Sequence, residues 1–415
     1  MSKLEELIQK YCPDGVEWKS LSELGVFYSG LTGKSKEDFR DGNAKFITYV
    51  NIFNNPSLKT DVEEKVKIAP GEKQNTIQYG DILFTGSSET PDECGMCSVL
   101  THHTDENLYL NSFCFGFRFN DLSDKNPDFM KHLFRSSSVR KDICKTANGV
   151  TRYNISKKEF AKIEIPIPPL PVQEEIVRVL DTFTELQAEL QAELQKRIQQ
   201  YNYYRDQLLA GDGSFKRCKL LDLLSQPITD GPHTTPQFFQ TGVPFVSVDA
   251  VWDGRIHFEK QRGFISPDFD KECSKKYKPK RDDVFMVKSG STTGKVAYVD
   301  TDVDFNIWSP LAAMRVNDNT SSRYLFHLLQ TSQVQEQVIT KSSQGSQPNL
   351  SMRVLEQFDV DVPPLSRQVE IASILDRFYT LTTDLSQGLP AEIEKRRQQY
   401  EYYRDKLLTF KKKEA

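Results

Sequence analysis

The stretch KRIQQYNYYRDQLL, at residues 196–209, returns as KRRQQYEYYRDKLL at residues 395–408. Eleven of these fourteen positions are identical. Upstream of each copy the chain repeats Pro-Pro-Leu, beginning at Pro168 and at Pro363, and each Pro-Pro-Leu is followed by a glutamine, Gln173 or Gln368. Self-similarity of this kind is the signature of a duplicated unit. The sequence therefore predicts two copies of one unit, related by an internal pseudo-twofold repeat.

The duplication continues, more weakly, ahead of each helical segment. Short motifs match at similar distances from the two proline segments, and they contain Asp81 and Asp283, Arg118 and Arg315, and Asn154 and Asn349. We therefore expect a first globular domain, a central helical region, a second globular domain and a C-terminal helical region, at residues 1–165, 166–211, 212–360 and 361–415.

The helical regions are indicated by the spacing of their apolar residues. Over residues 172–209 these recur in steps of three and four without glycine or proline, which predicts one helix of roughly 55–60 Å. The second copy contains Gly388 and Pro390, so a kink or short break is expected there. We expect the two helices to pack antiparallel as a coiled coil. The predicted helix-pairing residues are Ile176, Leu180, Phe183, Leu190, Leu194, Ile198, Tyr201, Ile371, Leu375, Phe378, Leu385, Ile393 and Tyr400.

The globular regions have a different pattern. Runs of aromatic and β-branched residues predict strands at residues 45–50, 81–84, 113–119, 243–248, 284–287 and 311–316. Helices are predicted at residues 129–135 and 323–330. The predicted fold class is therefore α+β: two similar globular domains, each a mostly antiparallel sheet plus helices, separated by the two long antiparallel helices.

Composition excludes several classes of protein. The chain has 415 residues, a formal net charge of −4 and 27% charged residues, which is not the composition of a disordered or fibrous protein. It has no apolar run long enough for a membrane helix and no apolar segment typical of a signal peptide near its start. Seven scattered cysteines do not form a disulfide framework. A soluble cytoplasmic protein, not bound to membranes, is expected.

Motifs for enzymatic chemistry are weak. Residues 290–295, GSTTGK, resemble a phosphate-binding loop but have one residue too few between the glycines. Cys94 and Cys97, with two histidines nearby, have no second pair at zinc-finger spacing, and the second repeat lacks them. Duplicated machinery should duplicate its catalytic residues, and no such set recurs. We therefore predict no catalytic residues, no metal and no cofactor.

Polar loops do recur in both halves. They combine glycines with hydroxyl, amide and basic side chains, which can donate to phosphates and reach base edges. Ordinary solvated loops are the alternative interpretation. The DNA-binding candidates are Lys34, Lys36, Asn51, Ser87, Ser88, Asn148, Thr151 and Arg152 in the first half, and His233, Thr234, Thr235, Lys288, Ser289, Ser291, Thr292, Lys295, Gln344, Ser346 and Gln347 in the second.

With these features the chain resembles the specificity (S) subunit of type I restriction-modification systems. The resemblance is carried by the Pro-Pro-Leu segments with their glutamines, by the pattern Ile-x3-Leu-Asp-x-Phe that begins at Ile176 and Ile371, and by the long helices. It covers essentially the whole chain. The tetrad Gln-Ala-Glu-Leu, repeated at residues 187–190 and 191–194, is also similar to tetrads in the central helix of some members.

This resemblance implies a non-catalytic subunit that recognises double-stranded DNA. Each globular domain would be a target recognition domain for one half of a bipartite target. The helices would set the gap and dock two modification (methyltransferase) subunits, which restriction and translocase subunits would join. Two alternatives remain open from the sequence: a DNA-recognising enzyme with embedded nuclease or methyltransferase activity, and a coiled-coil adaptor that binds only proteins.

Overall fold

A computed structural model describes residues 3–211, 213–343, 347–384 and 387–414 of the chain. Up to the end of the long central helix the helices and strands are α1 (Lys3–Tyr11), β1 (Glu17–Ser20), α2 (Leu21–Leu24), β2 (Gly25–Ser29), β3 (Ala44–Ile47), α3 (Tyr49–Asn54), β4 (Lys65–Val66), β5 (Ile82–Thr85), β6 (Ser87–Ser88), β7 (Cys97–Val99), β8 (Tyr109–Leu110), β9 (Cys114–Phe119), α4 (Pro127–Leu133), α5 (Ser137–Lys145), β10 (Ala147–Asn148), β11 (Tyr153–Ile155), α6 (Lys157–Phe160), β12 (Glu164–Ile167) and α7 (Leu170–Leu209).

The second half follows a similar order. Its elements are β13 (Lys216–Lys219), β14 (Thr229–Asp230), β15 (Val243–Val246), β16 (Val251–Trp252), β17 (Arg255–Ile256), β18 (Phe264–Ile265), α8 (Pro267–Ser274), β19 (Val284–Val287), β20 (Val296–Tyr298), β21 (Asn306–Ile307), β22 (Leu311–Met314), α9 (Ser322–Leu328), α10 (Ser332–Lys341), α11 (Met352–Glu356), β23 (Asp359–Val362), α12 (Leu365–Thr383) and α13 (Leu389–Leu407).

The chain forms two compact units. Unit 1 comprises Met1–Glu189 and Glu394–Ala415, and unit 2 comprises Leu190–Ile393. Both boundaries fall inside helices, α7 and α13. Each unit therefore holds one globular module, a part of α7 and a part of the C-terminal helical region.

The two modules share three sheets. The main sheet is antiparallel, with strand order β2-β9-β5-β7 in unit 1 and β14-β22-β19-β20 in unit 2. In each module a second sheet contains one parallel pair of strands. This pair is β3 with β8 in unit 1 and β15 with β21 in unit 2. A third sheet pairs the first strand of each module with its last strand. These strands are β1 and β12 in unit 1 and β13 and β23 in unit 2. The α+β class with mostly antiparallel sheets is confirmed.

Some predicted strands are shorter than the sequence pattern suggests. The strand predicted at residues 45–50 ends at Ile47, and Tyr49 begins α3 instead, because the Thr48 side chain accepts a hydrogen bond from the Asn51 N–H and caps that helix. The strand predicted at residues 243–248 ends likewise at Val246. Aromatic and β-branched residues favour a strand at residues 45–50, but the Thr48 cap starts a helix there instead.

The long helices agree with the sequence. Helix α7 is unbroken over 40 residues. In the C-terminal region α12 ends at Thr383 and α13 begins at Leu389, so the predicted interruption is present. Gly388 allows it, because a Cβ there would lie 2.7 Å from the Thr380 carbonyl oxygen. Pro390 lies in the first turn of α13, where a missing N–H costs little.

The predicted helix-pairing residues fall into several environments. Ile176 and Leu180 are buried in the core of unit 1, and Ile371 and Leu375 in that of unit 2. Between the helices, Phe183 stacks on Tyr403 at 5.3 Å in unit 1, whereas Phe378 lies 5.7 Å from Tyr204 and Tyr201 lies 6.2 Å from Tyr379 in unit 2. In these last two contacts the residue number rises along one helix as it falls along the other, as antiparallel helices require. Half-buried positions are Leu190, Leu194, Ile198, Ile393 and Tyr400, and Leu385 lies outside the described residues.

A buried glutamine joins each module to its helical region. Gln173 accepts a hydrogen bond from the N–H of Asn126, the cap residue of α4, at 2.8 Å and donates to the Pro168 carbonyl at 2.6 Å. Gln368 accepts from the cap residue of α9 at 2.9 Å and donates to the matching proline carbonyl at 2.9 Å. This role accounts for a glutamine after both proline segments.

In unit 1 a buried histidine connects the module to both helices. The Nδ1 of His132, on α4, lies 2.9 Å from the Tyr400 hydroxyl on α13, and its Nε2 lies 2.8 Å from the Asp181 carboxylate on α7. Burial lowers the pKa of His132 despite the hydrogen bond to Asp181. A neutral imidazole can serve both neighbours.

Unit 2 repeats this arrangement. His327, on α9, lies 2.9 Å from the Tyr201 hydroxyl on α7 and 2.7 Å from the Asp376 carboxylate on α12. Burial lowers the pKa of His327 as well. Burial alone would raise the pKa of Asp376, but hydrogen bonds from His327 and Arg323 hold it below its usual value. In both units the tyrosine belongs to the duplicated Tyr-x-Tyr-Tyr-Arg-Asp motif.

The aspartate of the same motif caps a module helix. Asp405 accepts from the N–H and the hydroxyl of Ser137, at the start of α5, at 2.9 and 2.5 Å. Asp206 accepts from the same groups of Ser332, at the start of α10, at 3.2 and 2.5 Å. The duplicated motif is therefore a set of contacts that fixes each module against the helices of its unit.

Candidate nucleic-acid interface

Two polar loops of unit 1 pair with each other at the edge of the module. Strand β11 pairs with β6, with Asn154 opposite Ser87, and with β10, with Asn154 opposite Asn148. Both pairings are antiparallel, which brings the residues just before Asn154, including Thr151 and Arg152, beside the Ser87 loop. The DNA-binding candidates Ser87, Thr151 and Arg152, from distant segments of the first half, thus share one surface.

Unit 2 joins its corresponding loops in the same register. Asn349 forms antiparallel bridges with Ser289 and with Ser343. The N–H of Gly290 donates to the Pro348 carbonyl at 3.0 Å. Since Asn154 and Asn349 occupy the same place in the two repeats, the surfaces are equivalent.

The joined loops of unit 1 border an open cleft of about 920 Å³, named cleft 1. Val50, Phe53 and Phe113 form its apolar side, and Ser87 and Arg152 contribute to its polar side. Val50 and Phe113 are each 62% exposed. Large apolar side chains left this open beside polar groups mark an interaction surface.

Arg152 is held in cleft 1 by neutral groups. Its Nε and Nη2 donate to the Ser87 hydroxyl at 3.3 and 3.1 Å, and its guanidinium lies 5.9 Å from the centre of the Phe113 ring. Within the described part of the chain Arg152 forms no ion pair. Its charge therefore stays available to a ligand.

Cleft 2, the counterpart in unit 2, is smaller, at about 350 Å³. Its polar side includes Ser289, Lys295 and Gln347, and its opposite side carries Trp252 and Lys260. The Lys260 ammonium lies 4.9 Å from the centre of the Trp252 ring. Cleft 2 thus sets one cation beside an aromatic ring, whereas Val50, Phe53 and Phe113 of cleft 1 are apolar.

Positions in the two clefts can be matched through the backbone. The N–H of Gly86 donates to the Phe113 carbonyl at 2.9 Å, and the N–H of Lys288 donates to the Pro310 carbonyl at 2.8 Å. Counting back two residues from the paired asparagines, Arg152 in unit 1 corresponds to Gln347 in unit 2, and both line their cleft.

The DNA-binding candidates Lys34, Lys36 and Asn51 of the first half do not line cleft 1. Lys34 forms an ion pair with Glu72 at 2.5 Å, and the hydrogen bond from Lys34 lowers the pKa of Glu72 to about 2. Lys36 is exposed on a short 3-10 turn. Asn51 is buried and its amide donates to the Lys59 carbonyl at 2.8 Å. Lys34 and Asn51 are therefore occupied within the fold.

Four of the described DNA-binding candidates in the second half do not line cleft 2, and one of them, Lys288, belongs to a buried charge cluster. Lys288 pairs with the buried Asp230 at 3.2 Å. Burial alone would raise the pKa of Asp230, but neighbouring lysines hold it below its usual value. His233, Thr234 and Thr235 are exposed.

The structure thus divides the DNA-binding candidates into two groups. Those that line a cleft are Ser87, Ser88, Thr151, Arg152, Ser289, Ser291, Thr292, Lys295 and Gln347. Those away from the cleft linings are Lys34, Lys36, Asn51, Asn148, His233, Thr234, Thr235 and Lys288, whereas Gln344 and Ser346 lie outside the described residues.

Sequence reasoning missed the apolar and aromatic sides of both clefts. Val50, Phe53 and Phe113 in unit 1, and Trp252 in unit 2, lie in segments that read as strands or loops and do not recur between the repeats. Only their exposure, which the sequence does not reveal, separates them from core residues.

The weak motifs for enzymatic chemistry form ordinary turns and core. Cys94 and Cys97 are buried, and burial raises the pKa of each thiol. Residues 290–295 form the turn that borders cleft 2, with the Thr293 hydroxyl donating to the Gly290 carbonyl at 2.7 Å. Among the described residues, no group of three or more potential ligands could hold a metal ion. Within the same described ranges, none of the helices is long and apolar enough to cross a membrane.

The chain is similar to proteins of one family. The model of the type I restriction modification DNA specificity domain matches residues 13–200 and 238–395. A specificity subunit of a type I restriction enzyme from Escherichia coli is 33% identical over 269 residues, which are 63% of this chain and 66% of that protein. A putative specificity subunit from Haemophilus influenzae is 34% identical over 284 residues, 63% of this chain and 68% of that protein.

A solved structure supports the fold. It comes from a study of complex assembly and conformational transition of the type I restriction-modification system. The TM-score is 0.58 at 17% identity, over 95% of this chain and 98% of that one. The family match covers most of the chain in two segments, one in each repeat, as the sequence predicted. The chain belongs to the family of type I restriction-modification DNA specificity subunits.

Proposed function

We propose that this chain is the subunit that selects the DNA target of a type I restriction-modification complex, with each unit reading one half of a bipartite target. The observation that carries the proposal is the matched register of clefts 1 and 2. The same backbone positions present different side chains in the two units. Equivalent readers with different side chains suit two unlike half-sites.

The chemistry of the clefts fits base reading. Hydroxyl, amide and guanidinium groups supply the donors and acceptors that discriminate base edges, and apolar contacts suit the thymine methyl group. The net charge of −4 argues against a protein that coats DNA regardless of sequence.

Two modification subunits are the partners that we propose for the helices. Tyr203 and Tyr402 occupy the same place in the duplicated motif, and each is 61% exposed. Their neighbours in the motif are repeated because they fix the modules, but these two rings face outward. Exposed tyrosines are enriched in protein interfaces. Identical surface residues in both repeats suit two copies of one partner, which restriction and translocase subunits then join.

The helices would also set the gap between the half-sites. The tetrads at residues 187–190 and 191–194 lie within α7, which is unbroken. The boundary between the two units falls between Glu189 and Leu190, inside these tetrads. We further propose that the protein works in the cytoplasm, where its seven free cysteines would remain reduced.

The test is reconstitution with the modification subunits, followed by sequencing of methylated DNA. A bipartite methylated motif with two unlike halves is expected from the complex, and no cleavage or methylation is expected from the chain alone with DNA, Mg²⁺ and adenosylmethionine. Activity of the chain alone would support an embedded enzyme instead. Absence of any sequence-dependent methylation by the complex would support a protein-binding adaptor.

The docking proposal has a separate test. Tyr203→Ala and Tyr402→Ala should each leave one modification subunit bound per chain. In the double variant the affinity for both modification subunits should fall to about a tenth of the original value or less. Tyr11→Ala, at a 42% exposed tyrosine outside the motif, is the matched control. Mass measurement of the complexes gives the number bound, and unchanged binding by the double variant would contradict the assignment.

A further inference from the structure

One pair of matched positions differs in a way that base chemistry can interpret. We propose that Arg152 and Gln347 determine which base is read at the equivalent place in each half-site, Arg152 at a guanine and Gln347 at an adenine. This inference rests on the proposed function and assigns the base class that each cleft takes.

The pairing register makes these two residues equivalent. Each lies two residues before the asparagine that pairs with the serine shared by both repeats, Asn154 opposite Ser87 and Asn349 opposite Ser289. Both side chains are exposed and line their cleft. The two modules therefore hold one variable side chain at the same place on the same backbone.

The geometry of Arg152 suits a guanine. Ser87 takes hydrogen bonds from Nε and Nη2, and Phe113 lies beside the guanidinium, so two neutral neighbours orient the fork. A guanidinium has five N–H donors, which leaves further donors for the O6 and N7 acceptors of guanine. By contrast, Arg262 of unit 2 is bound by Asp249 at 2.8 Å.

Gln347 has the groups that adenine requires. A side-chain amide carries both a donor and an acceptor, which match N7 and the N6 amino group of adenine. Lys295 in the same cleft is a point charge, better suited to a phosphate than to this edge. The neutral amide is therefore the base-specific group of cleft 2 at this position.

The experiment compares variants of the complete complex by methylation sequencing. Arg152→Gln should reduce the preference for guanine at one position of one half-site by about tenfold or more and leave the other half-site unchanged. Gln347→Arg should do the same for one adenine of the other half-site. Arg40→Gln and Gln333→Arg make the same chemical changes at exposed positions outside the clefts and should change neither half-site.

Modified bases identify the atoms. Replacing the assigned guanine by 7-deazaguanine removes the N7 acceptor, so it should weaken binding of the unaltered complex about tenfold and that of Arg152→Gln much less. In the same way, replacing the assigned adenine by 7-deazaadenine should weaken binding of the unaltered complex more than that of Gln347→Arg. Equal losses in the unaltered complex and the variant would overturn the contact.

Different results would contradict the proposed function and the two base assignments. If the unaltered complex methylates no bipartite motif, the proposed function is wrong. If the motif is bipartite but Arg152→Gln weakens all sequences equally, Arg152 is a phosphate contact and this inference alone is wrong. A motif whose half-sites lack the required guanine or adenine also overturns it, as does a change in both half-sites. Matching thermal unfolding of variants and controls establishes that the folds are intact.

Discussion

In both units a buried aspartate binds an arginine through two hydrogen bonds, Asp81 with Arg118 at 2.8 and 2.6 Å and Asp283 with Arg315 at 2.7 and 2.7 Å. The tyrosine hydroxyl that completes each cluster comes from β2 in unit 1 but from the segment after α8 in unit 2. The buried contact was thus retained while the chain around it diverged.

The clefts differ where this framework agrees. Cleft 1 is larger and has an apolar side with Phe113, whereas cleft 2 is smaller and carries Lys260 over Trp252. Removing one partner from a buried polar contact is costly, whereas exposed side chains can change with little effect on stability. The comparison teaches that duplication preserved the contacts that fix a module and freed the surface that it presents.

The largest effect is expected from a change in α7, the helix to which both units contribute. Deleting residues 191–194 should shorten α7 by about 6 Å and the target gap by one or two base pairs, with both half-sites unchanged. Methylation of the original target should fall at least tenfold. Replacing Gln191 and Glu193 by alanine keeps the length and should keep the gap. Methylation sequencing decides, and an unchanged gap in the deletion variant would reject the spacer role.

The buried glutamines test whether the two frameworks are equivalent. Gln173→Ala and Gln368→Ala should each reduce the free energy of unfolding by about 2–4 kcal/mol, because buried backbone groups lose their partners. Denaturant titration with hydrogen exchange measures the loss in each unit. Gln199→Ala, at an exposed position, should cost less than about 0.5 kcal/mol. A large loss in one unit only would break the comparison.

The capping aspartates should have a smaller effect. Asp405→Ala and Asp206→Ala should each cost about 1–2 kcal/mol, through lost caps on α5 and α10. Hydrogen exchange should show the first loss in unit 1 and the second in unit 2. Asp268→Ala, whose side chain is 98% exposed, is the control. If Asp405→Ala reduced protection from hydrogen exchange in unit 2, the assignment of Glu394–Ala415 to unit 1 would be contradicted.

The smallest difference that we expect is in pH dependence. Burial lowers the pKa of His132 and of His327, so the stability that each contributes is present above the unfolded value of about 6.5 and is lost as pH falls through the lower folded value. Asp376, Tyr201, Arg323 and Arg205 face His327 in unit 2.

In the same unit His257 acts in the opposite direction. Burial works against its charge, but hydrogen bonds to Asp253 and Glu259 raise its pKa, so its contribution is present at low pH and is lost as pH rises through the raised value. Between pH 7.5 and 5.5, unit 1 should therefore lose more stability than unit 2. Hydrogen exchange at both pH values measures this, and His257→Asn should remove the difference. Equal losses of stability in the two units of the original chain would contradict the direction assigned to the His257 contribution.

The sequence predicted the framework because its residues recur at matched spacing. The glutamines after the proline segments, the unbroken helix α7 and the break near Gly388 all follow from local pattern or repetition. It did not predict that Tyr49 begins a helix, since the aromatic and β-branched pattern around it favours a strand while Thr48 caps a helix instead.

The clefts could be predicted only in part. Polar loop residues such as Ser87 and Arg152 were recognisable by type, but they meet through strand pairing across 65 positions of the chain, which no local pattern encodes. Asn51 has the right chemistry for DNA and is instead consumed by the fold. Phe113 lies in a segment that reads as a strand, and its exposure is not evident from the local sequence, so the apolar side of cleft 1 was missed.

The central claim is that each unit reads its own half-site through its own cleft. The direct measurement is methylation sequencing of a complex in which the residues of cleft 1 at 86–89 and 147–154 are exchanged for those of another specificity subunit. We expect one half-site to change while the other half-site and the gap stay as they were. A change in both half-sites, or in neither with the complex still active, would contradict the account.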